Sequence, residues 1–595
     1  MKLSDYVAQF LADQGIKHVF AITGGASLHL IDSLAKCDGT DYVCTHHEQA
    51  SAMAADAYAR TTGNIGAAVA TSGPGGTNLI TGICCAWYDS VPVLYITGQV
   101  STFRFKSETG VRQMGFQETD IVPMCEPITK SAVTIMDANR IRYELEKAVW
   151  IAQSGRPGPV LVDIPDNLQR ADITPGDLDR FTPPLDQTDT PNPALKDHVR
   201  TCLEWLRAAK RPVVVLGWGV RLGKAEKEAL QFINRLGLPV CPTWATADMQ
   251  THVDPLRVGT FGTHGNRHAN FAIQNADLIL SIGSRLDTHM IGSPFSDFGR
   301  EAKKIIVDID ASEAHKFPEF GLDIDLTIVA NSKDFLTEAL EQSAHLDTPN
   351  IQPWLDQIRT WKSRYPVIQD AYRNSDTLNP YVFVEALSDA AQDGDILFSD
   401  TGCAIAWLCQ AFEFKKDQRL FHAFNNTPMG YALPGAIGAS LARDKKRVIC
   451  VAGDGGFMMN LQELSTARHH DLPLKIFVLN NGGYSMIQQT QDQWLDSRYE
   501  ASSTASGLGF PDFQKLGETF GFRTQTISTN ADAIKNLQEL IESPDPVFCN
   551  VVLNSTERVI PQVKFGRPIE DTEPLLEREE FLSNMLIEPL DVSRQ

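Results

Sequence analysis

The sequence predicts an α/β protein of three doubly wound parallel-sheet domains. Two observations predict it. Short Val/Ile-rich runs alternate with helix-length segments along most of the chain, the pattern of parallel strands covered on both faces. Two Pro- and Asp-rich stretches interrupt that alternation and read as linkers: "DLDRFTPPLDQTDTPNPALKDH" near 177–198 and "QSAHLDTPNIQPW" near 342–354. At 595 residues the chain is too long for one core. The expected domains are 1–180, 190–345 and 360–555, followed by a tail, 556–595.

Taken in order, "MKLSDYVAQFLADQG" is an amphipathic helix pattern that carries acids, unlike a signal or transit peptide. Strands follow at "HVFAIT", "GAAVATS", "VPVLYITG" and "GPVLVDIP", with a short strand before the small-residue helix "EQASAMAADAYA". The middle third has "RPVVVLG", "DLILSIG" and "KKIIVDID"; the last third has "DGDILFSD", "KRVICVAGDG", "LKIFVLNN" and "PVFCNVVL". The tail has no strand pattern and reads as a cover over a site or a neighbour, or as a mobile end. No apolar run reaches roughly 18 residues, so no membrane span is expected.

With 43% hydrophobic and 21% charged residues, the composition is that of a soluble globular protein. A formal charge of -21 repels nucleic acid and anionic membranes, so neither is an expected partner. An anionic ligand then needs local help from a metal or from helix N-termini. The 11 cysteines are odd in number and form no CxxC pair; they read as buried thiols in a reducing cytoplasm.

"KRVICVAGDG" is a strand that ends in a tight turn, where Gly453, Gly455 and Gly456 permit close backbone approach. A helix is expected from about Phe457, its free N–H groups suiting a phosphate. Asp454 supplies a hard carboxylate oxygen. About 27 residues on, Asn480 and Asn481 end the next strand. Parallel strands end on one edge, so Asp454 and Asn481 can share an ion, and all-oxygen ligation beside a phosphate suits Mg²⁺. A lone GDG is a common glycine turn; GDG followed by NN at this distance is a specific signal.

That constellation resembles the thiamine diphosphate (ThDP) enzyme motif. The likeness extends through "YVCTHHEQASAMAADAYART", "GFQETDIVPMCEPITKSA", "SGRPGPVLVDIP", "THGNRHANFAIQNADLILSIGSRLD" and "MGYALPGAIGAS". Over roughly 1–555 the chain resembles the catalytic subunit of acetolactate synthases. The resemblance implies a ThDP-binding fold with pyrimidine, central Rossmann-like and pyrophosphate domains. It implies Mg²⁺ held by Asp454, Asn481 and the carbonyl of Gly483, with Gly402 of "SDTGCAIAW" near the diphosphate. Polar side chains usually follow that glycine in the family; here Cys403 and Ala404 do.

ThDP also needs a buried carboxylate on its pyrimidine ring to make the C2 proton removable. The resemblance assigns that role to Glu48. Alone, an acid in a first helical turn is ordinary capping. By the same resemblance, Phe116 and Gln117 face the reacting carbon. Met429 holds the bent form of the cofactor, although alone it reads as a core methionine. The Thr427 carbonyl bonds the 4′-amino group, at a position where the family usually has glycine. The active site would lie between the first domain of one subunit and the third of another, in a homodimer or homotetramer.

"RPVVVLGWGVRLG" is a dinucleotide-like turn without a clean GxGxxG. Acetolactate synthases bind FAD in this domain without net redox chemistry. The matching positions are Arg156, Gly217, Gly219, Thr263, His264, Gly265, Arg285, Asp308 and Ile309, with Asn331 in place of a later acid. An empty domain or another nucleotide is the alternative.

Two positions depart from the family. The arginine that grips the acceptor's carboxylate is His289, and the tryptophan that shapes the acceptor pocket is Thr490, with Trp494 four residues on. An imidazole grips a carboxylate poorly beside a guanidinium. The expected reaction is decarboxylation of a 2-keto acid, pyruvate first, and transfer of its acyl unit to a carbonyl acceptor; a resemblance to the acetyl-transferring enzymes of branched-sugar biosynthesis implies a nucleotide-linked keto sugar. The alternatives are an authentic acetolactate synthase, a flavin- or nucleotide-dependent oxidoreductase, and a non-catalytic regulatory homologue.

Overall fold

The structure, a computed structural model, describes residues 1–184 and 193–594. Residues 185–192 of the first predicted linker lie outside the described residues, and the helix Leu195–Ala208 begins inside its last four residues, 195–198. Three all-parallel sheets carry the chain. The first has β1 (His18–Ala21), β2 (Asp41–Cys44), β3 (Gly66–Ala70), β4 (Val93–Gln99), β5 (Ser131–Thr134) and β6 (Val160–Pro165), in the order 2-1-3-4-6-5. The second has β7 (Pro212–Leu216), β8 (Val240–Pro242), β9 (Leu278–Ile282), β10 (Lys303–Asp308) and β11 (Leu326–Val329), in the order 11-10-9-7-8. The third has β12 (Ile396–Ser399), β13 (Arg419–Phe421), β14 (Val448–Gly453), β15 (Leu474–Asn480), β16 (Arg523–Ile527) and β17 (Val547–Val552), in the order 13-12-14-15-17-16.

The first and third sheets share one strand order, a duplication invisible as sequence repeat. The strand order switches direction between β1 and β3, between β7 and β9, and between β12 and β14. Loops part at such a switch point, which opens a crevice outside the carboxyl ends of the strands.

Helices Glu48–Thr62 and Ala432–Ala442 join the first and third domains. Both are buried almost throughout, and their small residues let the backbones close up. A Cβ at Gly438 would stand 2.2 Å from the Ala54 carbonyl oxygen, so no larger residue fits there. The helix Gln352–Arg364 packs Trp354, Ile358 and Trp361 into the central core.

The tail is ordered, and it does contain strands, contrary to the sequence reading. β18 (Gln562–Val563) and β19 (Thr572–Glu573) form a ribbon on the central domain. Val563 N–H donates to the Thr263 carbonyl at 2.8 Å, and Phe581 is buried in the central core. Two-residue strands leave no readable pattern. No described helix is long and apolar enough to cross a membrane.

Candidate functional site

Beside the third switch point, β14 and β15 end side by side, with Gly453 paired to Leu479. Asp454 is buried there. Its Oδ1 accepts Gly455 N–H at 2.6 Å, and its Oδ2 accepts Asn481, Gly482 and Gly483 N–H at 3.1, 2.8 and 3.2 Å. Burial pushes its carboxyl up to about 6 against those four bonds. The helix after the turn differs from expectation. It starts at Asp454, stops at Phe457, and resumes at Glu463–His469. Two glycines in its first turn lower helix propensity, and the turn caps itself on Asp454.

The Asn481 amide decides what this corner can hold. With its nitrogen inward it would donate to Asp454 Oδ2 at 3.1 Å and to the Gly483 carbonyl at 2.8 Å. With its oxygen inward, three oxygens face one another with no hydrogen among them. Adjacent corners of a metal octahedron with bonds of about 2.1 Å stand about 3.0 Å apart. The Asn481 oxygen then stands 3.1 Å from Asp454 Oδ2 and 2.8 Å from the Gly483 carbonyl, close to that spacing, so the donor set fits Mg²⁺. It is one carboxylate, one amide and one carbonyl; among the described residues no three His, Cys, Asp or Glu side chains form a metal cluster. Asn480 faces away, bonded to Asn550 at 3.0 Å.

The surrounding backbone leaves room for a ligand. Nothing stands within 4 Å of a Cβ at Gly453. Gly455 admits Tyr484 and the Met429 methyl, which a Cβ there would strike at 2.1 and 3.2 Å. Gly402 has φ 80°, and Cys403 and Ala404 behind it are buried, packing rather than polar, residues. Thr427 has φ 41°, the left-handed region that favours glycine. The backbone therefore keeps a glycine conformation despite the β-branched side chain, whose hydroxyl bonds to that of Thr401. Asp400, which sequence reasoning missed, fixes this loop. Its two carboxylate oxygens each accept Gly430 N–H at 3.0 Å.

In the first domain Glu48 opens its helix behind the His47 cap and is 8% exposed. Asn78 Nδ2 donates to it at 2.9 Å, and Gly75 leaves space beside it. Gln117 is held at φ 63° against Gly73, and Phe116 is 86% exposed. The loop that carries them is pinned by Glu118, another residue sequence reasoning missed. Its carboxylate accepts the N–H groups of Lys106, Met114 and Gly115 at 2.7, 2.8 and 3.0 Å. Among the described residues, no hydrogen bond joins Glu48, Phe116 or Gln117 to the Asp454 corner. By hydrogen bonding, these residues fall into two separate groups, one in the first domain and one in the third.

A cavity of about 620 Å³ opens at the second switch point and reaches the third domain. Arg156, Gly217, Gly219, His264, Arg285, Asp308, Ile309 and Asn331 line it, as do Thr401, Gly402, Thr427 and Met486. Its size suits a dinucleotide cofactor. Thr263 and Gly265 do not line it: the Thr263 carbonyl is taken by the tail, and Gly265 is packed against the Phe261 backbone. Gly217 and Gly219 serve packing too, since Cβ atoms there would strike Gly283. Arg156 and Arg285 are paired with acids. Arg156 bonds Asp310 at 2.9 Å and Glu313 at 3.1 Å, and Arg285 bonds Glu313 at 3.0 Å. Burial resists the charge of Glu313, but Lys316, Arg285 and Arg156 outweigh it and hold the carboxyl at about 2.

His289 sits in the wall of this cavity, bonded to His264 at 2.9 Å with Trp244 against its ring. Burial pushes His264 down to about 3 and lowers His289 as well. Thr490 is less available than expected, because its hydroxyl donates to the Met486 carbonyl at 3.1 Å. Trp494 is exposed and meets Phe565 of the tail edge-on at 6.1 Å.

Residues 1–124, 199–339 and 400–551 match the N-terminal TPP binding, central and C-terminal TPP binding domains of thiamine pyrophosphate enzymes. The chain is 33% identical over 577 residues to the acetolactate synthase isozyme 3 large subunit of Escherichia coli (strain K12), covering 95% of this chain and 97% of that one. It is 32% identical to the acetolactate synthase large subunit of Cyanidium caldarium, covering 94% of each. It is 30% identical to the chloroplastic acetolactate synthase of Arabidopsis thaliana, covering 96% of this chain and 84% of that one.

Proposed function

Because the chain belongs to the thiamine diphosphate-dependent enzymes of the acetolactate synthase family, we propose that it decarboxylates pyruvate and transfers the acyl unit to an acceptor with no carboxylate beside its carbonyl, a nucleotide-linked keto sugar. Once bound, ThDP supplies the electron sink and the nucleophilic carbon. Asp454, Asn481 and the Gly483 carbonyl hold Mg²⁺, and Gly402 and Gly453 leave space for the diphosphate. Met429 supports the rings from one side, with the Thr427 carbonyl toward the amino group. Glu48 holds the proton at the pyrimidine nitrogen. Phe116 and Gln117 cover the reacting carbon and keep water out. The two half-sites complete each other between subunits, so the working unit is at least a homodimer. FAD occupies the central cavity in a structural role.

The observation that carries the metal reading is the three-oxygen corner at Asp454. Asp454→Ala removes the one charged ligand and the acceptor of four N–H groups. ThDP binding in that variant is expected to lose its Mg²⁺ dependence, read by titrating protein fluorescence with cofactor in the presence and in the absence of Mg²⁺. Binding that still requires Mg²⁺ contradicts the assignment.

The observation that carries the acceptor reading is the His264–His289 pair. Two lowered imidazoles present no cation to a carboxylate. His289→Arg restores a bidentate cation. A charge-assisted hydrogen bond is worth about 1.5–3 kcal/mol, so roughly 10- to 100-fold better use of pyruvate as acceptor is expected, read as acetolactate formed per pyruvate consumed. An unchanged product ratio counts against it. The names of the relatives favour a second reading, with pyruvate as both donor and acceptor. A flavin oxidoreductase or a non-catalytic homologue is not favoured, since Glu48 and the Asp454 corner are both retained.

A further inference from the structure

We propose that Glu463 is a positioning residue for Glu48 that acts from the third domain; the inference rests on the reading of Glu48 as the activating acid. Glu463 lies in the helix Glu463–His469, and its side chain is fully buried. Its Oε1 accepts His46 N–H at 2.9 Å, across 417 residues of sequence. Its Oε2 accepts the Thr466 hydroxyl at 2.7 Å. Among the described residues no Lys or Arg pairs with it. Burial pushes its carboxyl up against the pull of these bonds. A buried carboxylate without a Lys or Arg partner is costly where a neutral side chain would pack. Its place in the fold supplies the reason for keeping it.

The turn Thr45–His47 links β2 to the helix that Glu48 opens. Within the first domain the turn is held by the Thr45 hydroxyl, 2.6 Å from that of Ser51, and by His47 Nδ1, which accepts Gln49 N–H at 3.1 Å. Glu463 adds the clasp from the other domain, two residues before Glu48. The segment that carries it runs on from Asp454. Between the two, Asn460 Nδ2 donates to the Gly430 carbonyl at 2.8 Å, next to Met429. One stretch, 454–463, therefore touches the metal carboxylate, the loop of Met429 and the approach to Glu48. Moving the turn moves the acid. A shift of about 1 Å at a reacting group costs about 100-fold in rate.

The test compares Glu463→Ala with Glu463→Gln in the full-length protein. The glutamine keeps an acceptor oxygen for His46 N–H; alanine does not. Hydrogen exchange of the amides of His46–Gln49, measured without added cofactor, is expected to speed up in the alanine variant and stay near wild type with glutamine. For pyruvate consumption, kcat is expected to fall about 10- to 100-fold in the alanine variant. KM and the Mg²⁺-dependent ThDP affinity should stay within about threefold, and glutamine should restore most of the rate. If the alanine variant does not fold, Glu463→Met, which fills the same space without an acceptor oxygen, takes its place in the comparison with the same expected outcome. Unchanged exchange at His46–Gln49 overturns the proposal, and so does an equal kcat in all variants or a loss confined to ThDP affinity. The exchange result needs no reaction: an active Glu48→Gln would sink the role of Glu48 while leaving the clasp standing.

Discussion

Glu48→Gln stops pyruvate decarboxylation and leaves Mg²⁺-dependent ThDP binding in place. The glutamine matches the carboxylate in shape, and its amide can still bond Asn78, the partner of Glu48 at 2.9 Å. It cannot hold and release a proton at the cofactor's pyrimidine ring. Removing a positioned acid–base group costs about 100- to 10,000-fold. The metal corner at Asp454 makes no hydrogen bond to Glu48 and should be untouched. Single-turnover pyruvate loss and ThDP titration read the two halves separately. A rate within a few-fold of wild type contradicts the assignment; loss of ThDP binding as well would make Glu48 a binding residue.

Arg60→Met is expected to be the most destabilising single change at the seam between the first and third domains. Arg60, on the Glu48 helix, is buried with its Nε 2.8 Å from Asp56 and an Nη 2.8 Å from Asp89. It also donates to the His422 carbonyl at 3.0 Å, while the Tyr431 hydroxyl bonds Asp56 at 2.5 Å. Burial opposes its charge, but Asp56, Tyr431 and Asp89 outweigh burial and keep it protonated. Asp89 in turn accepts Phe424 and Asn425 N–H at 2.8 and 3.0 Å, on the way to Thr427 and Met429. Methionine fills much of the space but leaves two buried carboxylates facing each other. Breaking a buried pair in this way costs about 3–5 kcal/mol. Denaturant unfolding measures it, and a loss below about 1 kcal/mol would mean that the network relaxes or that water enters.

The sheet interiors were legible in the sequence and the edges were not. Eleven strands stand out as apolar runs, and β2 as a short strand before Glu48. The five unread strands of the three parallel sheets, β5, β8, β11, β13 and β16, all lie at sheet edges. Each is half-exposed, as in Ser131–Thr134, or only three residues long, as in Arg419–Phe421. An edge strand is covered on fewer sides and need not be continuously apolar.

The same contrast divides the site. Asp454 and Asn481 were readable as neighbours because two adjacent strands end on one sheet edge, whereas Gly483 came only from the family resemblance. The His264–His289 bond, the Glu463 clasp and the Arg60 network were not readable, since each joins segments whose approach depends on how loops and domains pack. His289 was noticed as a substitution, but its partner only emerges in three dimensions. The tail hid its ribbon because its contacts, such as Val563 to Thr263, are made with the central domain and not within itself.

The most direct test uses purified protein with ThDP, Mg²⁺ and pyruvate alone, following pyruvate loss and identifying the product. A working donor half with a neutral acceptor site predicts slow turnover with acetaldehyde as the product, and faster pyruvate loss when a nucleotide-linked keto sugar is added. Rapid, quantitative conversion to acetolactate would contradict it. The His264–His289 pair would then be compatible with a carboxylate acceptor, and the enzyme would join two pyruvates.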